Sequence, residues 1–276
     1  MSKYWNKIVA HGTFLVCCFA ANCLATETLF PIDFPESRAA VGETVELDDD
    51  VYSTDLNAFV EFAPARFFSI YASGAFRFLS YSYEYTTEGY IHNYCNLHVN
   101  GFNETYVGAK ILVWHGLGIN ANWRFPPGEG SQKNRFHRLN VEPFYAWQAT
   151  QHLVIGTSIR YNMFLEDLNY KPGDEIGLRG TLTWKFLWSD AQKSGWKFTE
   201  QFLYQKRIVD SENRNLLKPY RKMKDTYKGF KFDYELARFF GICSRSLGIG
   251  LNYQIKKGNL FGFETGHLVG IKLLLE

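Results

Sequence analysis

The feature that most constrains the fold is a strict alternation of apolar and polar residues along almost the whole chain. In one run, Phe68, Ile70 and Ala72 alternate with Ser69 and Tyr71. A period of two predicts β-strands, because successive side chains of a strand point to opposite faces. Each run has about ten residues, the length of a tilted membrane-spanning strand, whereas a strand of a soluble sandwich typically has about five or six. The runs occupy residues 56–62, 68–78, 104–113, 119–125, 138–145, 152–162, 176–186, 196–205, 230–236, 247–256 and 269–275.

The connections between the runs alternate in length. Short ones are predicted at residues 64–66, 115–117, 149–150, 189–194 and 241–245, and long polar ones at residues 84–103, 126–135, 166–174 and 208–228. Outer-membrane barrels have short periplasmic turns and long outer loops. The run at residues 56–62 ends at a short connection, so an earlier strand is needed, and residues 39–47 are the candidate. The total is about 12 strands, with ten as the alternative.

Composition agrees with strands that have one apolar face. Aromatic residues make up 17% of the chain, and Phe125, Tyr145 and Trp184 stand near the ends of their runs, as residues of an interfacial girdle do. After the N-terminal stretch, no segment approaches the roughly 18 apolar residues of a spanning helix. The net charge of +2 gives no strong field for nucleic acid, and no nucleic-acid partner is expected.

The N-terminus predicts export. Lys3 and Lys7 precede a mostly apolar stretch at residues 8–24, and small residues lead up to a cleavage site after Ala25. An uncleaved anchor and a lipoprotein modified at Cys23 remain alternatives. The predicted organisation is a signal peptide at residues 1–25, a periplasmic N-terminal segment at residues 26–37 and a barrel at residues 38–276.

In its alternating runs, its short and long connections and its final strand, the chain resembles bacterial outer-membrane β-barrel proteins over residues 38–276. The resemblance implies an all-β fold, a single closed antiparallel transmembrane barrel, and residence in the outer membrane. It also implies contact with outer-membrane lipid and lipopolysaccharide, and handling by the barrel-assembly machinery. The basic stretch at residues 218–228 is a candidate for lipopolysaccharide phosphates, with a solvated loop as the alternative.

The candidate site is the inward face of the barrel. Charged side chains at these positions must be hydrated or form ion pairs, because burying an isolated ion is very costly in free energy. One hypothesis is a passive channel with a cationic-leaning lumen for small polar or anionic solutes, narrowed by loops such as residues 208–228. The alternative is a filled barrel, with Phe59, Tyr71, Tyr106 and Phe144 inside, whose outer loops serve a structural, adhesive or partner-binding role. The predicted lumen-lining residues are Arg77, Lys110, Arg124, Arg138, Arg160, Arg179, Lys185, Glu61 and Glu142.

Two further hypotheses concern chemistry. His92, Cys95 and His98 in the first long loop have the residue types of a zinc or copper site, but a polar surface loop is the preferred interpretation, and no cofactor is expected. Cys95 and Cys243 fall at opposite ends of the barrel and are predicted to be free thiols. A lipid-modifying enzyme would need a serine beside an outward histidine. His137 and His267 lack one in this register, so no enzyme is predicted.

Overall fold

The computed structural model describes residues 32–47, 51–87, 90–102, 105–125, 136–166, 170–215, 222–223, 227–242, 244–258 and 263–276. The predicted signal peptide and Cys243 lie outside these residues. Within them, no helix has the length and apolar character needed to cross a membrane. The strands are β1 (Arg38–Leu47), β2 (Val51–Ala65), β3 (Phe68–Thr87), β4 (Tyr90–Phe102), β5 (Thr105–Trp114), β6 (Leu117–Phe125), β7 (Arg138–Thr150), β8 (Leu153–Phe164), β9 (Tyr170–Lys171), β10 (Glu175–Ser189), β11 (Ser194–Arg207), β12 (Ser211–Asn213), β13 (Lys222–Met223), β14 (Lys228–Ile242), β15 (Arg245–Gly258) and β16 (Phe263–Leu275).

Twelve of these strands close an antiparallel barrel, which confirms the predicted fold. The order around the wall is β1, β2, β3, β5, β6, β7, β8, β10, β11, β14, β15, β16 and back to β1. Closure depends on β1, the strand with the weakest sequence pattern. Ala39 faces Leu275 of β16 on one side and Val60 of β2 on the other. A strand paired along both edges leaves no backbone donor or acceptor for the membrane to satisfy.

The first predicted long loop is wrong in extent. Residues 84–103 carry the end of β3 and all of β4, and β4 pairs antiparallel with β3 from Phe102↔Phe76 to Tyr90↔Thr87. β4 and β5 lie end to end along β3, with a one-residue register offset between them, since Tyr106 faces Ser73. Tyrosine and threonine favour strands. The segment looked like a loop because strands beyond a membrane do not need an apolar face.

Two other predicted loops also contain strands. β9, in the predicted loop at residues 166–174, pairs with β12, and β12 pairs with β13, both in the predicted loop at residues 208–228. Together they form a small three-stranded sheet at the long-loop end of the barrel. This sheet is separate from the barrel wall.

Side chains alternate across the barrel wall as the sequence predicts. On β15, Leu247, Ile249 and Leu251 are exposed on the outer surface, whereas Asn252 and Gln254 are buried inside. The short turns are tight enough to maintain this register. His115 and Gly116 both have positive φ, at 36° and 89°, as a two-residue type I′ hairpin turn requires.

Candidate functional site

The candidate site is the barrel interior, and the nine predicted lumen-lining side chains differ in their burial. Arg77 and Lys185 are partly accessible, and each forms an ion pair, Arg77 with Asp55 at 2.7 Å and Lys185 with Glu276 at 3.4 Å. The other seven are buried: Lys110, Arg124, Arg138, Arg160, Arg179, Glu61 and Glu142. Such burial inside a barrel requires paired charges, because unpaired ones would be too costly.

Glu142 is the acceptor at the centre of the interior network. Nη1 of Arg179 lies 2.9 and 3.0 Å from its two carboxylate oxygens. Ser158 Oγ donates to it at 2.5 Å and Asn120 Nδ2 at 3.1 Å. Tyr71 donates in turn to Asn120 at 2.5 Å. These contacts tie five strands of the wall together through one carboxylate.

A row of amides continues around the same part of the wall. Asn122, Asn140, Asn162 and Glu175 face one another in register on β6, β7, β8 and β10. Each amide donates to the next residue, at 3.1, 2.9 and 3.2 Å. We call this network the polar belt, which comprises Tyr71, Asn120, Asn122, Asn140, Glu142, Ser158, Asn162, Glu175 and Arg179.

The chain before β1 enters the barrel at the short-turn end, and we call residues 32–37 the inserted segment. Ile32 packs in an apolar cluster with Phe144 and Ala146, and its backbone N–H donates to Thr181 Oγ1 at 3.3 Å. Residues 32–37, the described part of the predicted periplasmic segment, lie at the short-turn end of the barrel, and the assignment of residues 26–37 to the periplasm stays a prediction. The barrel leaves room for Ile32, because Gly156 has no side chain where the Ile32 carbonyl lies.

Asp33 fixes the inserted segment electrostatically. Its carboxylate lies 2.6 Å from Arg38 and 2.9 Å from Lys110, and the same two cations also contact Glu61. Burial alone would raise the pKa of Asp33, but the charges of Arg38 and Lys110 outweigh it and hold that pKa well below the usual range. Asp33 is therefore ionised at any pH near neutral.

A small cavity remains against the inner side of β1. Its volume is about 70 Å³, and its lining includes Arg38, Asn57, Lys197, Thr199, Lys272 and Glu276. Glu276 bonds to Lys197 and lies 3.4 Å from Lys185. Burial opposes the ionised form, yet these lysines lower the pKa of Glu276 to about 2. The cavity is lined by charges of both signs together with apolar residues such as Ala39 and Leu274.

Sequence reasoning missed Asp33 and Glu276, although both contact predicted lumen residues. Glu276 follows the last alternating run and continues its pairing, since its N–H donates to Ser246 O at 3.0 Å. Asp33 stands between Ile32 and Phe34, outside any alternating run. An acid between two apolar residues before the first strand was the available signal for a segment that packs inside.

The metal hypothesis relied on a compact loop, which the structure does not have. His92, Cys95 and His98 lie in β4, and six residues of extended strand separate His92 from His98 by roughly 20 Å. Among the described residues, no group of three His, Cys, Asp or Glu side chains is placed to hold a metal. The outward histidines bond to aromatic residues, His137 to Trp123 at 3.0 Å and His267 to Tyr253 at 2.8 Å.

Several solved structures match this chain. An outer membrane channel from Pseudomonas putida F1 matches over 90% of this chain and 97% of that chain, with 8% identity and a TM-score of 0.57. The NanC porin matches over 85% and 98%, with 14% identity and a TM-score of 0.49. The KdgM porin matches over 84% and 97%, with 12% identity and a TM-score of 0.47. At such identities the likeness shows the fold alone.

Sequence comparison supplies the family. No curated protein matches the chain. One family model, described as "Putative MetA-pathway of phenol degradation", matches residues 40–237. That range begins in β1 and ends in β14, so it covers most of the barrel wall and more than half of the chain. The chain therefore belongs to the family described as the putative MetA-pathway of phenol degradation.

Proposed function

We propose that the protein is a passive outer-membrane channel for small polar or anionic solutes. The observation that carries the proposal is the charge of the wall formed by β6, β7 and β8. Its buried inward positions hold three arginines, Arg124, Arg138 and Arg160, against one carboxylate, Glu142. Rings of basic side chains favour anions in pores.

The fold supports this role. The matched Pseudomonas putida protein is an outer membrane channel. A channel needs an apolar exterior and a polar interior, and this wall has both, with Ile159 and Leu178 outside and Ser158 and Arg179 inside. The family description names phenol degradation, and small polar aromatic compounds fall within the proposed solute class.

The inserted segment sets the size limit in this proposal. It occupies the short-turn end of the lumen, and the cavity lined by Arg38, Lys197 and Lys272 is about 70 Å³, room for a few water molecules. Solutes would diffuse past the arginines of β6–β8 and then pass beside residues 32–37. Small shifts of this segment would change the conductance more than any change in the wall.

Single-channel recording in planar bilayers tests the proposal. Purified protein in a salt gradient should show channels with a reversal potential that indicates anion preference. Arg124→Gln combined with Arg138→Gln should move that potential toward zero, because the two residues face each other in register. Arg66→Gln, in an exposed short turn, is the matched control and should leave it unchanged. Folded protein that never conducts would contradict the proposal.

One observation favours a second candidate, the filled barrel with a structural or partner-binding role. The inserted segment and the polar belt together fill much of the interior with bonded side chains. A filled barrel would remain silent in bilayers even after the inserted segment is displaced. The variant Gly156→Val, considered in the Discussion, separates the two functions.

A further inference from the structure

Arg238 is a basic residue on the outer, lipid-facing surface of the barrel. It lies in β14 between Ala237 and Phe239, which point inward and are fully buried. Its outward neighbours along the strand are Leu236 and Phe240, both exposed. Across the strands it faces Trp196 of β11 and Ile249 of β15. Arg238 is thus a half-buried guanidinium surrounded by apolar side chains.

Aromatic rings hold the guanidinium in place. Its central carbon lies 5.7 Å from the centre of the Trp196 ring and 5.3 Å from that of Phe240. Both distances are within the range of cation–π attraction. Within the described part of the chain, the Arg238 side chain contacts these two rings, and neither ring accepts a conventional hydrogen bond. The five N–H donors of the guanidinium are therefore available to an acceptor outside the protein.

Glu200, a carboxylate on the same surface, does not neutralise Arg238. Glu200 also breaks the apolar pattern of β11, but it faces Tyr234. Tyr234 and Arg238 are four residues apart in β14, which corresponds to roughly 13 Å along the strand. At that separation the side chains of Glu200 and Arg238 do not form an ion pair.

The depth of Arg238 matches the level of lipid headgroups. β14 ends at Ile242, four residues beyond Arg238, so the side chain lies close to the short-turn rim. Trp184, Phe186 and Trp196 stand around it, and Phe186 stacks on Trp196 with an interplanar angle of 10°. Aromatic girdles of this kind mark the membrane interface. A bare guanidinium at that level needs a polar partner.

We propose that Arg238, Trp196 and Phe240 form a binding site for the phosphate of a membrane phospholipid. The guanidinium donates two hydrogen bonds to phosphate oxygens, a geometry that arginine favours, and the rings pack against the glycerol and upper acyl chains. The occupant is the phospholipid of the leaflet next to the short turns. The site depends on the barrel fold and not on what passes through the lumen.

Native mass spectrometry of the delipidated, folded protein tests the site. The titrant is phosphatidylglycerol, with diacylglycerol of the same chains as a probe that lacks the phosphate. The wild type should retain phosphatidylglycerol, and Arg238→Gln should weaken that retention by about tenfold, as loss of a charge-assisted hydrogen bond predicts. Arg238→Lys should recover part of it, and diacylglycerol binding should not change.

Arg66→Gln is the control, because Arg66 is an exposed arginine in a short turn at the same end of the barrel. Its retention of phosphatidylglycerol should equal that of the wild type. An equal loss in both variants would overturn the proposal, since it would indicate general charge attraction. Full displacement of the lipid by millimolar inorganic phosphate would also overturn it, because a free-anion site would explain the binding. Mobility shifts on gels before and after heating confirm that each variant is folded.

Discussion

The two halves of the lumen are filled in different ways. At the short-turn end, a separate piece of chain, the inserted segment, packs Ile32 against Phe144 and Ala146 and bonds through Asp33. Nearer the middle, side chains of the wall itself, the polar belt, bond to one another across strands. The difference implies a division of roles. The polar belt holds the wall together, whereas the inserted segment can move without breaking a strand pair, so changes to the two should affect different properties.

The largest effect is expected from removing the central carboxylate of the polar belt. Glu142→Ala leaves Arg179 buried without its ion-pair partner, and loss of one partner of a buried pair typically costs about 3–5 kcal/mol. Unfolding in urea, followed in lipid vesicles, should show that loss. Glu166→Ala is the control, because its exposed pair with Arg214 should contribute within about 1 kcal/mol. If Glu142→Ala and Glu166→Ala lost similar stability, the polar belt would contribute no more than an exposed ion pair.

A steric change addresses the inserted segment without touching its charges. A Cβ atom at Gly156 would lie 2.1 Å from the Ile32 carbonyl oxygen, so Gly156→Val should push the inserted segment out of its pocket. We expect roughly severalfold higher single-channel conductance, since the narrowest part of the pore widens. Stability should fall by only about 1–3 kcal/mol.

Gly180→Val is the matched control for that variant. A Cβ atom at Gly180 of β10 meets no atom within 4 Å, and valine suits a strand. Its conductance should equal that of the wild type. If Gly156→Val is folded and its conductance is also unchanged, the inserted segment does not limit permeation.

The sequence predicted the wall of this barrel but not what lies inside it. Alternation predicts the face of each residue, and Arg179 and Glu142, which it assigns to the interior, are buried and form an ion pair. The stagger of the strands around the closed wall decides which inward residues come into contact. No local sequence pattern indicates that the Arg179 guanidinium reaches Glu142, which lies three strands earlier in the chain. The sequence did not predict the position of Asp33, because Asp33 lies in no strand. It did not predict β4, because a strand outside the membrane does not need an apolar face.

A smaller effect is expected from neutralising Asp33. Asp33→Asn removes the charge that Arg38 and Lys110 share, but both cations keep Glu61, and Ile32 keeps its apolar contacts. The inserted segment should become less stable but remain inside the barrel. Amide hydrogen exchange at Ile32 should speed up, by an amount that corresponds to about 1.5–3 kcal/mol of lost charged hydrogen bonding. As a control, Asp190→Asn, in an exposed turn, should leave that exchange unchanged. If Asp33→Asn raised the conductance as much as Gly156→Val, this ranking of the two effects would be contradicted.

The smallest effect is expected from mild acid. The folded pKa of Asp33 is depressed, so the stability it contributes is fully present above the ordinary aspartate pKa of about 3.9 and is lost only as the pH falls through the lower folded value. The pKa of Glu276, about 2, is also depressed, so its contribution to stability is likewise lost only in strong acid. Conductance and exchange at Ile32 should therefore stay flat from pH 7 to about pH 4.5. A transition centred near pH 6 would show that another group controls the inserted segment, and the Asp33→Asn variant would then titrate like the wild type.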